Sequence, residues 1–212
     1  MIVCKDILVR NETLTLTTQR AIFWKRENVL ILSDLHIGKT AHFRKHGIPI
    51  PDDILKKDLE RLDALLMKFK PEKMIVVGDL FHAEANVDLK SFKRWLLKHQ
   101  NLEIILVKGN HDRLPDVLMD DFSIKFVNEL ESTPFTFLHD PSHKRDETIK
   151  ISGHLHPGVL IKGKGKQKIK LPSYIVTNEL IILPAFSLFT GLNTRLNFTE
   201  NEYFAFSDAH FY

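Results

Sequence analysis

The chain has 212 residues, 43% of them hydrophobic and 27% charged, with 30 Lys plus Arg against 27 Asp plus Glu. This balance excludes a disordered tail, a coiled coil and a fibrous repeat, and suits a single domain spanning residues 1–212 with a sizeable core. No stretch approaches the ~20 apolar residues that cross a bilayer, the first residues MIVCKDILVR carry no signal-peptide block, and Cys4 is the only cysteine, so a cytoplasmic protein without disulfides or a membrane partner is expected.

In chain order, Val29–Leu32 is a short apolar run ending at Ser33-Asp34. A helix is expected next: Pro51 and Asp52 suit its start, Leu55, Leu59, Leu62, Leu66 and Phe69 form one stripe, and Pro71 limits its end. Lys73–Val77 is a second apolar run, ending at Gly78-Asp79, and Val87–Lys98 reads as a second helix with Leu89, Phe92 and Leu96 on one face. Glu103–Val107 follows, just before Gly109-Asn110. Continuous apolar runs suit strands covered on both faces, and their alternation with helices predicts crossover units in a mainly parallel sheet. The second half holds only short strand candidates: Phe135–Leu138, Thr148–Ser152, Val159–Lys162, Lys168–Leu171, Tyr174–Val176, Leu180–Leu183 and Tyr203–Phe206. With no linker between the halves, two packed sheets flanked by helices are expected.

The 11 histidines carry the sharper signal. Asp34-x-His36, Gly78-Asp79, Gly109-Asn110-His111-Asp112, His139 and Gly153-His154-x-His156 each follow a predicted strand. Sites in open α/β sheets form beyond the carboxyl ends of strands. Carboxylate, imidazole and amide oxygen suit borderline divalent metals such as Mn, Fe, Zn or Ni. These motifs offer more such residues than one four-coordinate ion needs and suit two ions sharing a carboxylate.

The ordered motifs resemble the calcineurin-like metallophosphoesterase superfamily over about Asp34–Pro157. The resemblance implies an α/β fold, a four-layer αββα sandwich with two divalent metal ions at its rim. It would place Asp34, His36, Asp79 and His156 on one ion and Asp79, Asn110, His139 and His154 on the other, with Asp79 bridging. A hydroxide between the ions would attack phosphorus. His111 would stabilise phosphoryl oxygens or protonate the leaving group, and Asp112 would orient that imidazole or stabilise the turn. The segments GDLFHAE and GNHD differ from the G-D-x-x-D-R-G and G-N-H-E of protein Ser/Thr phosphatases and from the G-N-R-D of lipid-A pathway hydrolases. GDLFH is similar to nuclease-like members, which would put His82 near the metals, fixing a ligand or a phosphate.

Four segments, Ser33–Pro51, Gly78–Asn86, Ser152–Gly158 and Leu183–Gly191, extend the likeness to the bacterial ligase-associated DNA damage response endonuclease family (PdeM). That resemblance implies a Mn2+-preferring phosphodiesterase acting on DNA in repair, encoded near a DNA ligase, a helicase and a second nuclease. Phe186 and Phe189 in LPAFSLFTG read as core-lining residues beside the site.

Two basic segments are candidate substrate contacts. KGKGKQKIK holds five lysines and no acid, more than the whole formal charge of +3. It reads as a hairpin presenting Lys162, Lys164 and Lys166 to DNA, or as a solvated edge that deters aggregation. GKTAHFRKHG (Gly38–Gly47) reads as a loop offering Lys39, Arg44 and Lys45, with Phe43 stacking on a base or packing inward. His42, His46, His99, His143 and His210 receive no role. The same bimetal chemistry would serve a small-molecule or cyclic-nucleotide phosphodiesterase. A non-catalytic DNA-repair scaffold is the third class, and the intact ligand set with His111 argues against it.

Overall fold

The computed structural model describes residues 2–82, 87–113, 122–141, 147–163, 165, 167–198 and 200–212. The chain opens on a meander of β1 (Cys4–Val9), β2 (Glu12–Thr17) and β3 (Ile22–Trp24), which leads antiparallel into β4 (Val29–Leu32). Arg10 and Asn11 both take positive φ in the tight β1–β2 turn, as a two-residue hairpin loop requires. Thereafter β4, β5 (Lys73–Val77), β6 (Glu103–Val107) and β7 (Lys125–Val127) run parallel, completing a first sheet in the order β1 to β7.

The crossover helix α2 (Ile54–Phe69) starts two or three residues later than Pro51-Asp52 suggests and stops at Lys70, which turns left-handed (φ 48°) before Pro71. Its Leu55, Leu62 and Leu65 meet α3 (Val87–Leu96) and the outward residues of the sheet, Leu30, Leu32, Met74, Val76, Ile104 and Leu106. Burying each such side chain contributes about 1.5–3 kcal/mol. A further helix, α1 (Lys39–Lys45), occupies the segment Gly38–Gly47 expected to be a loop. Its inner residues are small, so it shows no apolar stripe: Thr40 and Ala41 are buried, and both donate hydrogen bonds to Asp88. All three α-helices among the described residues precede residue 97.

The second sheet has the order β11 (Gly158–Lys162), β12 (Lys168–Thr177), β13 (Leu180–Ile182), β10 (Ile149–Ser152), β9 (Phe135–Phe137), β8 (Leu130–Ser132), with β14 (Asn201–Ala205) also paired to β12. The two strands expected at Lys168–Leu171 and Tyr174–Val176 are one, because Pro172 keeps the ladder by pairing with Gly158 and by accepting a hydrogen bond from Phe206. The sheets pack face to face. Leu14, Leu16, Trp24, Ile31, Ile75 and Val77 of the first meet Phe135, Phe137, Ile151, Tyr174 and Ile181 of the second. Thus β4 and β5 send alternate residues into two different cores, which explains their unbroken apolar runs. No helix among the described residues is long and apolar enough to cross a membrane.

Candidate metal centre

Parallel strands bring their carboxyl ends to one rim. Asp34 and His36 follow β4, Asp79 follows β5, Asn110 and His111 follow β6, His139 follows β9, and His154 and His156 follow β10. The loops zip together: Asp34 N–H donates to Gly78 O (3.0 Å), His36 N–H to Asp79 O (2.9 Å) and Gly153 N–H to His139 O (3.3 Å). Such tight crossing demands unusual backbone. Asp34, His36, Asp79, His154 and His156 all take positive φ, between 47° and 65°. A non-glycine residue in that region is uncommon and costs about 1–3 kcal/mol, so the cluster marks a place where side-chain direction outweighs local comfort.

The motif glycines have a direct cause. A Cβ at Gly78 would collide with the His139 ring, one at Gly109 with the Asp79 carboxylate and amide, and one at Gly153 with Asp34 and Ser33. Each glycine therefore leaves room for a polar side chain from a neighbouring loop.

Both buried carboxylates are anchored through one oxygen and leave the other for the centre. Asp34 Oδ2 accepts from His154 N–H (3.1 Å), while Oδ1 faces His156 Nε2 at 3.1 Å. Asp79 Oδ1 accepts from His111 N–H (2.9 Å), while Oδ2 lies 3.6 Å from His36 Nε2 and 3.3 Å from His139 Nε2. Backbone carbonyls orient two of the imidazoles: His139 Nδ1 meets Val77 O (3.1 Å) and His36 Nδ1 meets Asp34 O (3.2 Å), turning each Nε2 toward Asp79. Asp34, His36 and His156 bring their ligand atoms within 4.8 Å of one another, and so do Asp79, His139 and His154. The Asn110 amide lies 3.4 Å from His154 Nδ1, and rotating it presents its carbonyl oxygen there.

Burial opposes ionisation of Asp79, but hydrogen bonds to His139 and His36 outweigh it and hold the carboxyl below the usual range. For His139 burial disfavours the cation, yet Asp79 and Asp34 push it up to about 9. A cation is thus wanted between these groups, and a divalent ion would take the proton's place. Burial lowers His36, partly resisted by its hydrogen bond to Asp79.

Around this pair of groups, His111 is exposed and His82 half-buried, with ring centroids 4.4 Å apart. Ring nitrogens of His36, His82 and His111 also fall within 4.8 Å, and His82 Nδ1 is buried without a protein partner. Burial first, then the neighbouring His111, lowers His82 to about 4. Asp112 is buried and fully engaged: its oxygens accept from Phe81 N–H (2.9 Å) and Gly109 N–H (2.8 Å), while burial pushes it up to about 6. It ties two ligand loops together through their backbones.

The outer candidates divide. Lys39, the first residue of α1, is half-buried; burial lowers its ammonium against the attraction of Asp34 and Asp79. Phe43 lies edge-on to Phe189 at 5.8 Å, and both are half-buried, whereas Phe186 is fully buried. Arg44 is held by Pro51 O (3.1 Å), Asp52 (3.1 Å) and Asp88 (3.6 Å), so a helix–loop contact uses its charge. Lys162 is exposed on β11; Lys164 and Lys166 lie outside the described residues.

The sequence reading missed the support behind Asp34 and His36. Phe186 and Ser187 N–H donate to Ser33 and Asp34 O, and Thr190 Oγ1 lies 3.4 Å from His36 Nδ1. That segment is held from behind by Arg20, which donates to Ala185 and Ser187 O, and by Arg61, which donates to Phe186 O and Asp58. Asp58 was the available signal, a carboxylate set on the buried face of α2 between Leu55 and Leu62.

A family model for the calcineurin-like phosphoesterases matches residues 27–182, most of the chain and every ligand position above. The chain belongs to this family. It is a metal-dependent phosphoesterase, and its carboxylate, imidazole and amide donors fit the divalent metals the family uses. A crystal structure of the Pseudomonas putida nuclease MPE is similar to this phosphoesterase at 29% identity, with 96% of each chain covered and a TM-score of 0.80. A phosphoesterase from E. coli, YfcE, is far more distant, with 14% identity over 78% of this chain and 83% of that one and a TM-score of 0.44. No curated protein matches the chain.

Proposed function

We propose that this phosphoesterase holds two divalent ions, Mn2+ for preference, and hydrolyses phosphodiesters as a DNA endonuclease in repair. The observation that carries the binuclear reading is Asp79 Oδ2, set between His36 and His139 of two separate Asp/His groups. Asp34, His36, Asp79 and His156 would hold one ion, and Asp79, Asn110, His139 and His154 the other. Two ions there would supply Lewis acidity for attack of water on phosphorus and would neutralise the charge that develops. Fe, Zn or Ni suits the same donors. His111, exposed beside the centre and anchored by its N–H on Asp79, donates a hydrogen bond to a phosphoryl oxygen or protonates the leaving oxygen as its bond to phosphorus breaks. His82, half-buried with its ring against that of His111, fixes a ligand or the substrate phosphate. Asp112 acts through the loops it ties and not on the substrate.

The DNA substrate rests on the similarity to a nuclease over nearly the whole chain and on the GDLFH segment. A cytoplasmic single-domain enzyme working beside a DNA ligase, a helicase and a second nuclease completes the proposal. The test is incubation with Mn2+ and three substrates: an aryl phosphodiester, the matching monoester and circular single-stranded DNA. Cleavage of the diester and the circles with poor monoester turnover is expected. Cleavage of the diester with intact circles supports the small-molecule or cyclic-nucleotide reading instead. Efficient monoester hydrolysis alone sinks the diesterase assignment.

A further inference from the structure

Strand β11 leaves the rim directly after His156 and Pro157 and forms an antiparallel ladder with β12 in the register Leu160↔Lys170, Ile161↔Ile169, Lys162↔Lys168. Strand β12 meets β14 only from Ser173 onward and β13 only at Ile175 and Val176. Residues 159–162 and 168–171 therefore form a two-stranded arm beyond the sheet, with no third strand among the described residues.

Side chains alternate across such a ladder, so Lys162, Lys168 and Lys170 share one face. Lys162 and Lys168 stand directly opposite, an arrangement that destabilises a sheet. All three are exposed, and none has an acidic partner among the described residues. The other face pairs Ile161 with Ile169 and Val159 with Leu171, so in this register the cations stand together on one face. A merely solubilising edge would gain from mixed charges; a face of one sign, opposed across the ladder, is relieved by a polyanion. Lys162 is six residues beyond His156, so the extended strand sets it within about 20 Å of the rim.

We propose that this lysine face binds the sugar–phosphate backbone of the nucleic-acid strand being cut, a short distance along the strand from the metal centre. The proposal rests on the phosphodiesterase reading above and extends it to a surface of Lys162, Lys168 and Lys170.

The test replaces all three lysines by threonine, which favours strands, and measures binding of a phosphorothioate-linked single-stranded oligonucleotide over a range of salt. Loss of three phosphate contacts lowers the slope of log affinity against log salt by about 2, and weakens binding about tenfold or more at moderate salt. The melting temperature stays the same or rises, because a like-charge contact is removed. Affinity and slope equal to those of the unaltered protein overturn the proposal. If the triple variant does not fold, Lys168→Thr and Lys168→Arg decide: the slope falls in the first and returns in the second, and equal slopes overturn it. Aryl diester hydrolysis by the unaltered protein, run alongside, separates the two readings. Hydrolysis with an unchanged slope sinks the arm alone. A reduced slope without hydrolysis supports the arm and sinks the diesterase.

Discussion

Two carboxylate–imidazole pairs lie at opposite ends of the first sheet. Asp63 and His99, near the amino ends of β5 and β6, are 2.9 Å apart, closer than Asp79 and His36 at 3.6 Å. Yet Asp63 Oδ1 is shared with Trp95 Nε1 (2.6 Å), both residues are half-buried, and no other ligand-type group among the described residues joins them. At the rim, residues from five loops converge, the backbone turns left-handed at five of them, and glycines clear the space. An imidazole beside a carboxylate is ordinary helix packing. Convergence bought with backbone strain is what marks a centre for chemistry.

The comparison can be broken by substitution. Asp79→Ala has the largest expected effect: in the proposed two-ion arrangement both ions would lose a shared ligand, and activity falls well beyond the roughly 100-fold typical of losing an outer partner. Metal content by elemental analysis reads the outcome directly. Next comes Asp58→Ala, behind the segment that supports Asp34, which leaves Arg61, largely buried, without its carboxylate. A loss of about 3–5 kcal/mol in denaturant unfolding is expected. His111→Ala costs about 2.7–4 kcal/mol in transition-state stabilisation, a 100- to 1,000-fold drop in kcat, with metal content unchanged. Full activity in that variant would remove His111 from the mechanism. Smallest is His99→Gln: under about 1 kcal/mol in stability, and no change in activity or metal content. A large catalytic loss there would erase the contrast between the two ends.

The same contrast explains what the sequence disclosed. Each ligand motif sits at the end of an apolar run, so strand and site announced each other; Val29–Leu32 with Asp34, and Lys73–Val77 with Asp79, are the clearest cases. The helix α1 was hidden because its buried residues, Thr40 and Ala41, are small and satisfied by Asp88 rather than packed as a stripe. The meander β1–β3 was missed because alternating threonines such as Thr15, hydrogen-bonded to Asp6, mask its inward Leu14 and Leu16. Nothing local foretold that Arg20 and Arg61 would brace residues 185–187, since those contacts join positions more than 120 apart. Arg44, expected to bind substrate, contacts Asp52 and Asp88 in the structure, pairings that join helix to loop and leave no trace in local sequence.

The central claim, two ions joined by Asp79 in one hydrolytic centre, is tested most directly by adding Mn2+ stepwise to the metal-stripped protein while following aryl phosphodiester hydrolysis. Activity that appears only as the second equivalent per chain is filled is the predicted result. Full activity at one equivalent, with no further ion bound, would contradict it.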